Sequence, residues 1–336
     1  MFIVKQNFVK NVIGKRFMHA ALKPVEAAPV SPVSAYKNGI FLDKRMPGDR
    51  EIINPAYSSK AGGSFRIEKI DSKDFEFFGA FYNYLFVKTN SMWGSLNATY
   101  EDTEKMAYDA LSIVVRKDAT CAAFDNATNE LIGFEINRVH TADELSEMFD
   151  GRVSLKNPKF EHKSDYSEEI ANGPYNTKAN KIYVLLNECL KQTGQFLPSD
   201  VTNIGYMKAS GIMPAYNGYG LLSYMFYQSF IDFEKYNCNY YIAYCLADAS
   251  YQIAKKIGMK EVFCFPYSEY KIDGQQVFPS VLSDGATGVH VMIGNCENSW
   301  NIITKGKNMA PLKQQLQQQL QQQEQQQKQA QLRSAL

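Results

Sequence analysis

The chain has 336 residues, 45% of them hydrophobic and 13% aromatic, enough to bury one sizeable core with appendages. With 36 basic against 35 acidic residues the net charge is +1, which leaves no electrostatic footprint for nucleic acid or an anionic membrane. Six scattered cysteines (Cys121, Cys189, Cys238, Cys245, Cys264 and Cys296) form no C-x-x-C pair, which excludes a zinc ribbon and a disulfide scaffold and reads as a reduced, intracellular protein.

No apolar run is long enough to span a bilayer, so membrane insertion is not expected. The first 24 residues are basic, with no acid before Glu26. They read either as a mitochondrial transit segment, without Ser or Thr, or as a disordered basic leader; the location is then mitochondrial or cytoplasmic. Residues 25–63, with Pro29, Pro32, Pro47, Pro55 and Gly62-Gly63, read as linker. The leader and linker thus make a first unit, 1–63.

A domain is expected over 64–296. It starts with a strand at 64–70, then an aromatic amphipathic helix at 74–87 capped by Asp71 or Ser72, and a second helix at about 102–114. Strands at 119–124 and 131–139 follow, joined by a turn at Asp125-Asn126. Residues 140–179 are polar and aperiodic, as in a functional lid or a disordered insert, and a helix follows at 181–191.

The chain is organised around what comes next. A strand at 204–212 ends at Pro214, and the Gly-bearing stretch Asn217-Gly218-Tyr219-Gly220 leads into a helix with Leu221, Leu222, Met225, Phe226 and Phe230 on its apolar side. Such a loop at a helix N-terminus can make an anion site, because glycine lets backbone N–H groups approach a phosphate and the helix dipole favours negative charge. It is equally ordinary turn chemistry. A strand at 240–246, a helix at 249–257 and a C-capping Gly258 complete the pattern. Residues 297–336 end in a Gln tract with Leu312, Leu316 and Leu320 four apart, either a low-complexity tail or a weak self-associating helix.

The order strand, Gly-loop, helix, strand, helix, Gly-Met resembles the acetyl-CoA core of the GNAT superfamily of N-acetyltransferases. The family pattern V-x-P-x-Y-R-G-x-G-I-G/A stands here as Ile212-Met213-Pro214-Ala215-Tyr216-Asn217-Gly218-Tyr219-Gly220-Leu221-Leu222. Ser250 in ASYQIAKKIGM, the run FPYSEY…DGQQVF and the phrase Leu131-Ile132-Gly133-Phe134 are similar to the invertebrate arylalkylamine N-acetyltransferase branch. The resemblance covers about 65–293. It implies an α+β fold with a central mixed, mostly antiparallel, twisted sheet flanked by helices. It also implies acetyl-CoA as co-substrate, no metal, and a small amine, such as an arylalkylamine, as acceptor. Main-chain groups of Gly211, Ile212 and Met213 would then line the pantetheine arm, with Asn217, Gly218, Tyr219, Gly220, Leu221 and Leu222 around the pyrophosphate.

An ammonium cannot attack a thioester, so such a site needs a base and oxyanion donors. The family's Glu, in a phrase like E-P-L-x-x-x-L, is matched by Asn90-Ser91-Met92-Trp93-Gly94-Ser95-Leu96, so the carboxylate is replaced by Asn90. The phosphate loop also departs, with Asn217 for Arg and Leu222 for a small residue. Glu135 and His140 on the 131–139 strand and its end are candidate replacement bases, and Ser250 matches a helper serine. His290 reads as a packing residue, and Ala254 holds the position of the leaving-thiol acid of other branches. Two functions follow: amine acetylation with a relocated base, or a non-catalytic relative that binds partners through its Gln-rich tail.

Overall fold

The computed structural model describes residues 39–46, 48–114 and 119–305. The basic leader, Pro29, Pro32, Pro47 and the Gln tract lie outside the described residues.

Eight strands form one sheet in the order β1-β2-β3-β4-β5-β6-β10-β7. They are β1 Ile52–Ser58, β2 Ser64–Lys69, β3 Cys121–Asp125, β4 Leu131–His140, β5 Asn203–Ile212, β6 Cys238–Cys245, β7 Lys260–Pro266 and β10 Gly288–Asn295. A small hairpin, β8 Lys271–Ile272 with β9 Gln275–Gln276, stands apart. In the large sheet β5 and β6 run parallel and the other neighbours antiparallel. This is the mixed, mostly antiparallel sheet that the sequence implied.

Helices cover both faces. On one face α1 (Phe75–Thr89) and α3 (Tyr100–Val114) place Phe78, Phe81, Leu85, Ala107 and Leu111 on Phe124, Phe134 and Ile136. Gly79 matters there, because a Cβ on it would stand 2.3 Å from the Tyr108 ring of α3. The short α2 (Ser91–Ser95) follows α1, and α6 (Thr177–Thr193) covers the same face over β7 and β10. The opposite face carries α7 (Leu221–Lys235), α8 (Asp248–Lys256) and α9 (Cys296–Thr304) on Val139, Tyr241 and Met292. β4, in the middle, is buried on both sides except at Arg138.

Three boundaries differ from the sequence reading. From residue 39 onward the supposed linker belongs to the domain. β1 pairs with β2, and Pro55 is tolerated because β1 is an edge strand that need not donate at every residue. Arg50 is buried with Asp43 (2.7 Å), Asp74 (2.7 Å) and Glu68 (2.9 Å). Arg45 reaches Asp71 at 2.8 Å, and Arg66 reaches Asp43 at 2.7 Å. The polar stretch 140–179 is packed. It contains α4 (Leu145–Met148) and α5 (Ser167–Ala171), and it buries Phe149 and Tyr166 completely. The domain also continues past 296, since α9 buries Ser299 on the Tyr241 hydroxyl (2.7 Å) and lays Trp300 on Tyr227.

Candidate active site

The site begins where β5 ends. Pro214 opens a 3-10 turn, Pro214–Tyr216, and Gly218 and Gly220 then take φ of +85° and +78°. Gly220 is the N-cap of α7 and has no side chain to cap it, so the first-turn N–H groups of Leu221, Leu222 and Ser223 face outward without a side-chain acceptor. The Tyr57 hydroxyl donates to the Tyr219 carbonyl (3.3 Å), and a Cβ on Gly220 would meet that hydroxyl at 2.7 Å. Position and backbone both require glycine. The loop and helix start enclose an open cleft of about 370 Å³ lined by Ile212, Tyr216, Asn217, Gly218, Gly220, Leu221, Leu222 and Ser223. No lining residue is cationic, so an anion here is held by N–H groups and the helix dipole. Leu221 is buried beneath the helix, whereas Leu222 is half-buried at the cleft wall. Tyr219 turns its ring onto Phe65 instead.

Beside this cleft the sheet opens. β5 pairs with β6 only as far as Met207 opposite Ala243, while it stays paired with β4 up to Ile212 opposite Gly133. β6 meanwhile follows β10 to Cys245. The edge of β5 from Lys208 to Ile212 therefore faces a gap. The Met213 N–H donates to Ile132 (2.8 Å), and in an antiparallel ladder alternate residues face the same neighbour. The main-chain groups of Gly211 and Met213 thus turn to β4, which corrects the expectation that they line a pantetheine arm. Those of Ile212 and Ser210 are the ones directed into the gap.

The register shifts by one residue between Ile136–Ala209 and Asn137–Met207, so Lys208 is a bulge. The bulge brings Lys208 onto the face of Tyr206 and Ala209, and the Lys208 ammonium lies 5.9 Å from the Tyr206 ring. Arg138, opposite Tyr206, shares that face. The sequence reading missed this pair. The signal was the phrase YMKASG, where a lysine interrupts an otherwise apolar strand.

The candidate bases are dispersed. Glu135 is paired with Ser210 beside the gap, but it faces α7 with 1% exposure, and both carboxylate oxygens lack a hydrogen-bond partner. Burial holds its carboxyl well above the usual carboxylate range. His140 stands three residues beyond the bulge, roughly 10 Å along β4, with its Nδ1 3.2 Å from Glu144. Ser250, in the first turn of α8 where β6 ends, donates to the Ala247 carbonyl (2.7 Å) and accepts from the Ala247 N–H (3.3 Å). Asn90 is the N-cap of α2, and its Oδ1 accepts from the N–H groups of Met92 (3.0 Å) and Trp93 (3.4 Å). On the α8 face His290 contacts Glu261 (2.7 Å) and stacks under Tyr251.

No family model and no curated protein matches the sequence. Solved structures do. The arylalkylamine N-acetyltransferase 2 of Aedes aegypti superposes with a TM-score of 0.55 at 16% identity, covering 69% of this chain and 99% of the other. The fold is that of the GNAT N-acetyltransferases. A mosquito arylalkylamine N-acetyltransferase-like 5b gives 0.52 at 15% identity over 69% of this chain and 100% of its own. The Drosophila melanogaster polyamine N-acetyltransferase, which forms N-acetylagmatine, gives 0.52 at 13% identity over 69% and 99%. The GNAT architecture expected from the strand–loop–helix phrase is therefore present, at identities where few side chains are shared.

Proposed function

We propose that this protein transfers an acetyl group from acetyl-CoA to the amine of a small acceptor. The observation that carries the reading is the continuity of two features: the gap between β5 and β6, and the uncapped N-terminus of α7 at its end. A pyrophosphate is an anion that glycine-freed N–H groups bind, and an extended amide chain completes the open edge of a strand. In this assignment Gly218, Gly220, Leu221, Leu222 and Ser223 hold the phosphates, and Ser210 and Ile212 pair with the pantetheine amides. The likeness to solved amine N-acetyltransferases supports the same chemistry.

The attacking amine has to lose a proton and the thioester oxygen has to be stabilised. Ser250 is the assigned hydrogen-bond donor, because it alone of the three candidates lies where β6 ends at the gap; its single O–H must first leave the Ala247 carbonyl. Glu135 is sealed under α7 and His140 is buried opposite Ile204, away from the gap, so an amine reaching the gap loses its proton to solvent. A non-catalytic protein on the same fold is the second reading, favoured by Asn90, whose side chain is engaged as a helix cap. The test is release of free thiol from acetyl-CoA over a panel of amines at several pH values. Amine-dependent release above hydrolysis is the expected result; hydrolysis alone with every amine would leave the second reading standing.

A further inference from the structure

We propose that Arg138 and Lys208 form a subsite for a carboxylate on the acceptor, so that the acceptor is an amino acid rather than a simple amine. The inference rests on the acetyl-transfer reading and names its substrate class. Arg138 on β4 and Lys208 on β5 share the face of the sheet that α1 and α6 cover, at the point where β5 leaves β6. Both are half-buried, and neither makes a hydrogen bond or ion pair with its side chain among the described residues. The surroundings are aromatic. Lys208 lies over the Tyr206 ring, Tyr206 meets Tyr244 edge-on at 5.4 Å, and Tyr244 donates to Thr193 of α6 (2.9 Å). Tyr82 of α1 is buried on the same face, with Phe86 beside it.

The acid whose charge acts on Arg138 is Glu144, but its carboxylate is placed on His140 (3.2 Å) and on the Thr141 N–H (3.2 Å). Two cations taken partly out of water without a counter-ion are costly, and an entering anion relieves that cost. Their state agrees with this. Burial, and then the charge of Arg138, push the Lys208 ammonium down to about 8, the direction that a bound carboxylate reverses. The same pair repels a plain ammonium, which arrives with positive charge only. An amino acid brings a carboxylate for the pair and an amine for the thioester. The tyrosine rings beside the pair suit an aromatic side chain.

Phenylalanine and phenylethylamine differ by that carboxylate alone and make the test. Both are titrated calorimetrically into the full chain, with and without coenzyme A, for wild type, Arg138→Gln, Lys208→Gln and the charge-keeping Arg138→Lys. Wild type is expected to bind phenylalanine roughly ten- to a hundredfold tighter than phenylethylamine, the scale of a hydrogen bond to a charged group. Each Gln variant is expected to lose that preference by weakening phenylalanine alone, and Arg138→Lys to keep most of it. Equal or tighter binding of phenylethylamine, binding of neither, or equal weakening of both by the Gln variants would overturn the proposal. The coenzyme A isotherm, recorded separately in each protein, reports on the acetyl-transfer reading independently.

Discussion

At the scale of single residues, polar groups that a pattern marks as chemical are partly committed to structure. Asn90 occupies the position where the resemblance places a carboxylate base, yet its Oδ1 closes the first turn of α2. Asn90→Ala is therefore predicted to cost about 1 kcal/mol of stability, the usual loss for an N-cap, while Asn90→Asp keeps the cap. Denaturant unfolding checks this, and an Ala variant as stable as wild type would contradict it. Glu135 makes a second prediction. Its folded pKa is raised well above 4.5 by burial. The group therefore favours the folded state fully below its unfolded pKa, and that contribution is lost as pH rises toward the folded value. Glu135→Gln fixes the neutral form, so its melting point should sit near wild type at about pH 4.5 and above it at about pH 8. A variant less stable at the higher pH would show that the ionised carboxylate has a partner in the fold.

At the scale of elements, the legible parts were those with a period. The strands read at 64–70, 119–124, 131–139, 204–212 and 240–246 and helices α1, α3, α6, α7 and α8 stand close to where alternation and 3.6-residue spacing put them, since one-sided burial writes itself into the sequence. β1 did not, because IINPAYS at a sheet edge carries an Asn-Pro pair and little alternation. Nor did the cluster around Arg50, since ion pairs across 18 to 24 residues leave no local pattern. Within it burial alone would raise the Asp43 carboxyl, but hydrogen bonds from Arg50 and the Arg45 N–H outweigh this and hold it below its usual range. Arg50→Met would leave Asp43, Glu68 and Asp74 buried and uncompensated, and is predicted to destabilise by about 3–5 kcal/mol. Removing residues 1–62 takes β1 and Arg50 together, so its loss in thermal midpoint should be at least as large. A truncated chain that melts with the full-length protein would mean that this segment does not pack on the sheet.

At the scale of the molecule, the candidate site was legible where it is made of backbone and hidden where it is made of charge. The Gly218–Gly220 loop and the helix it opens were visible because only glycine accepts φ near +80° at both positions. The gap between β5 and β6, the turn of Gly211 and Met213 toward β4, and the meeting of Arg138 with Lys208 depend on register, and a one-residue bulge moves a side chain to the other face. The central claim is that the gap and the uncapped helix together bind coenzyme A, and calorimetric titration of the full chain with coenzyme A tests it most directly. The account predicts one saturable site in the wild type and none in Gly220→Asp, whose carboxylate would meet the Tyr57 hydroxyl and the phosphates together. No binding to wild type, or the same affinity in Gly220→Asp, would contradict it.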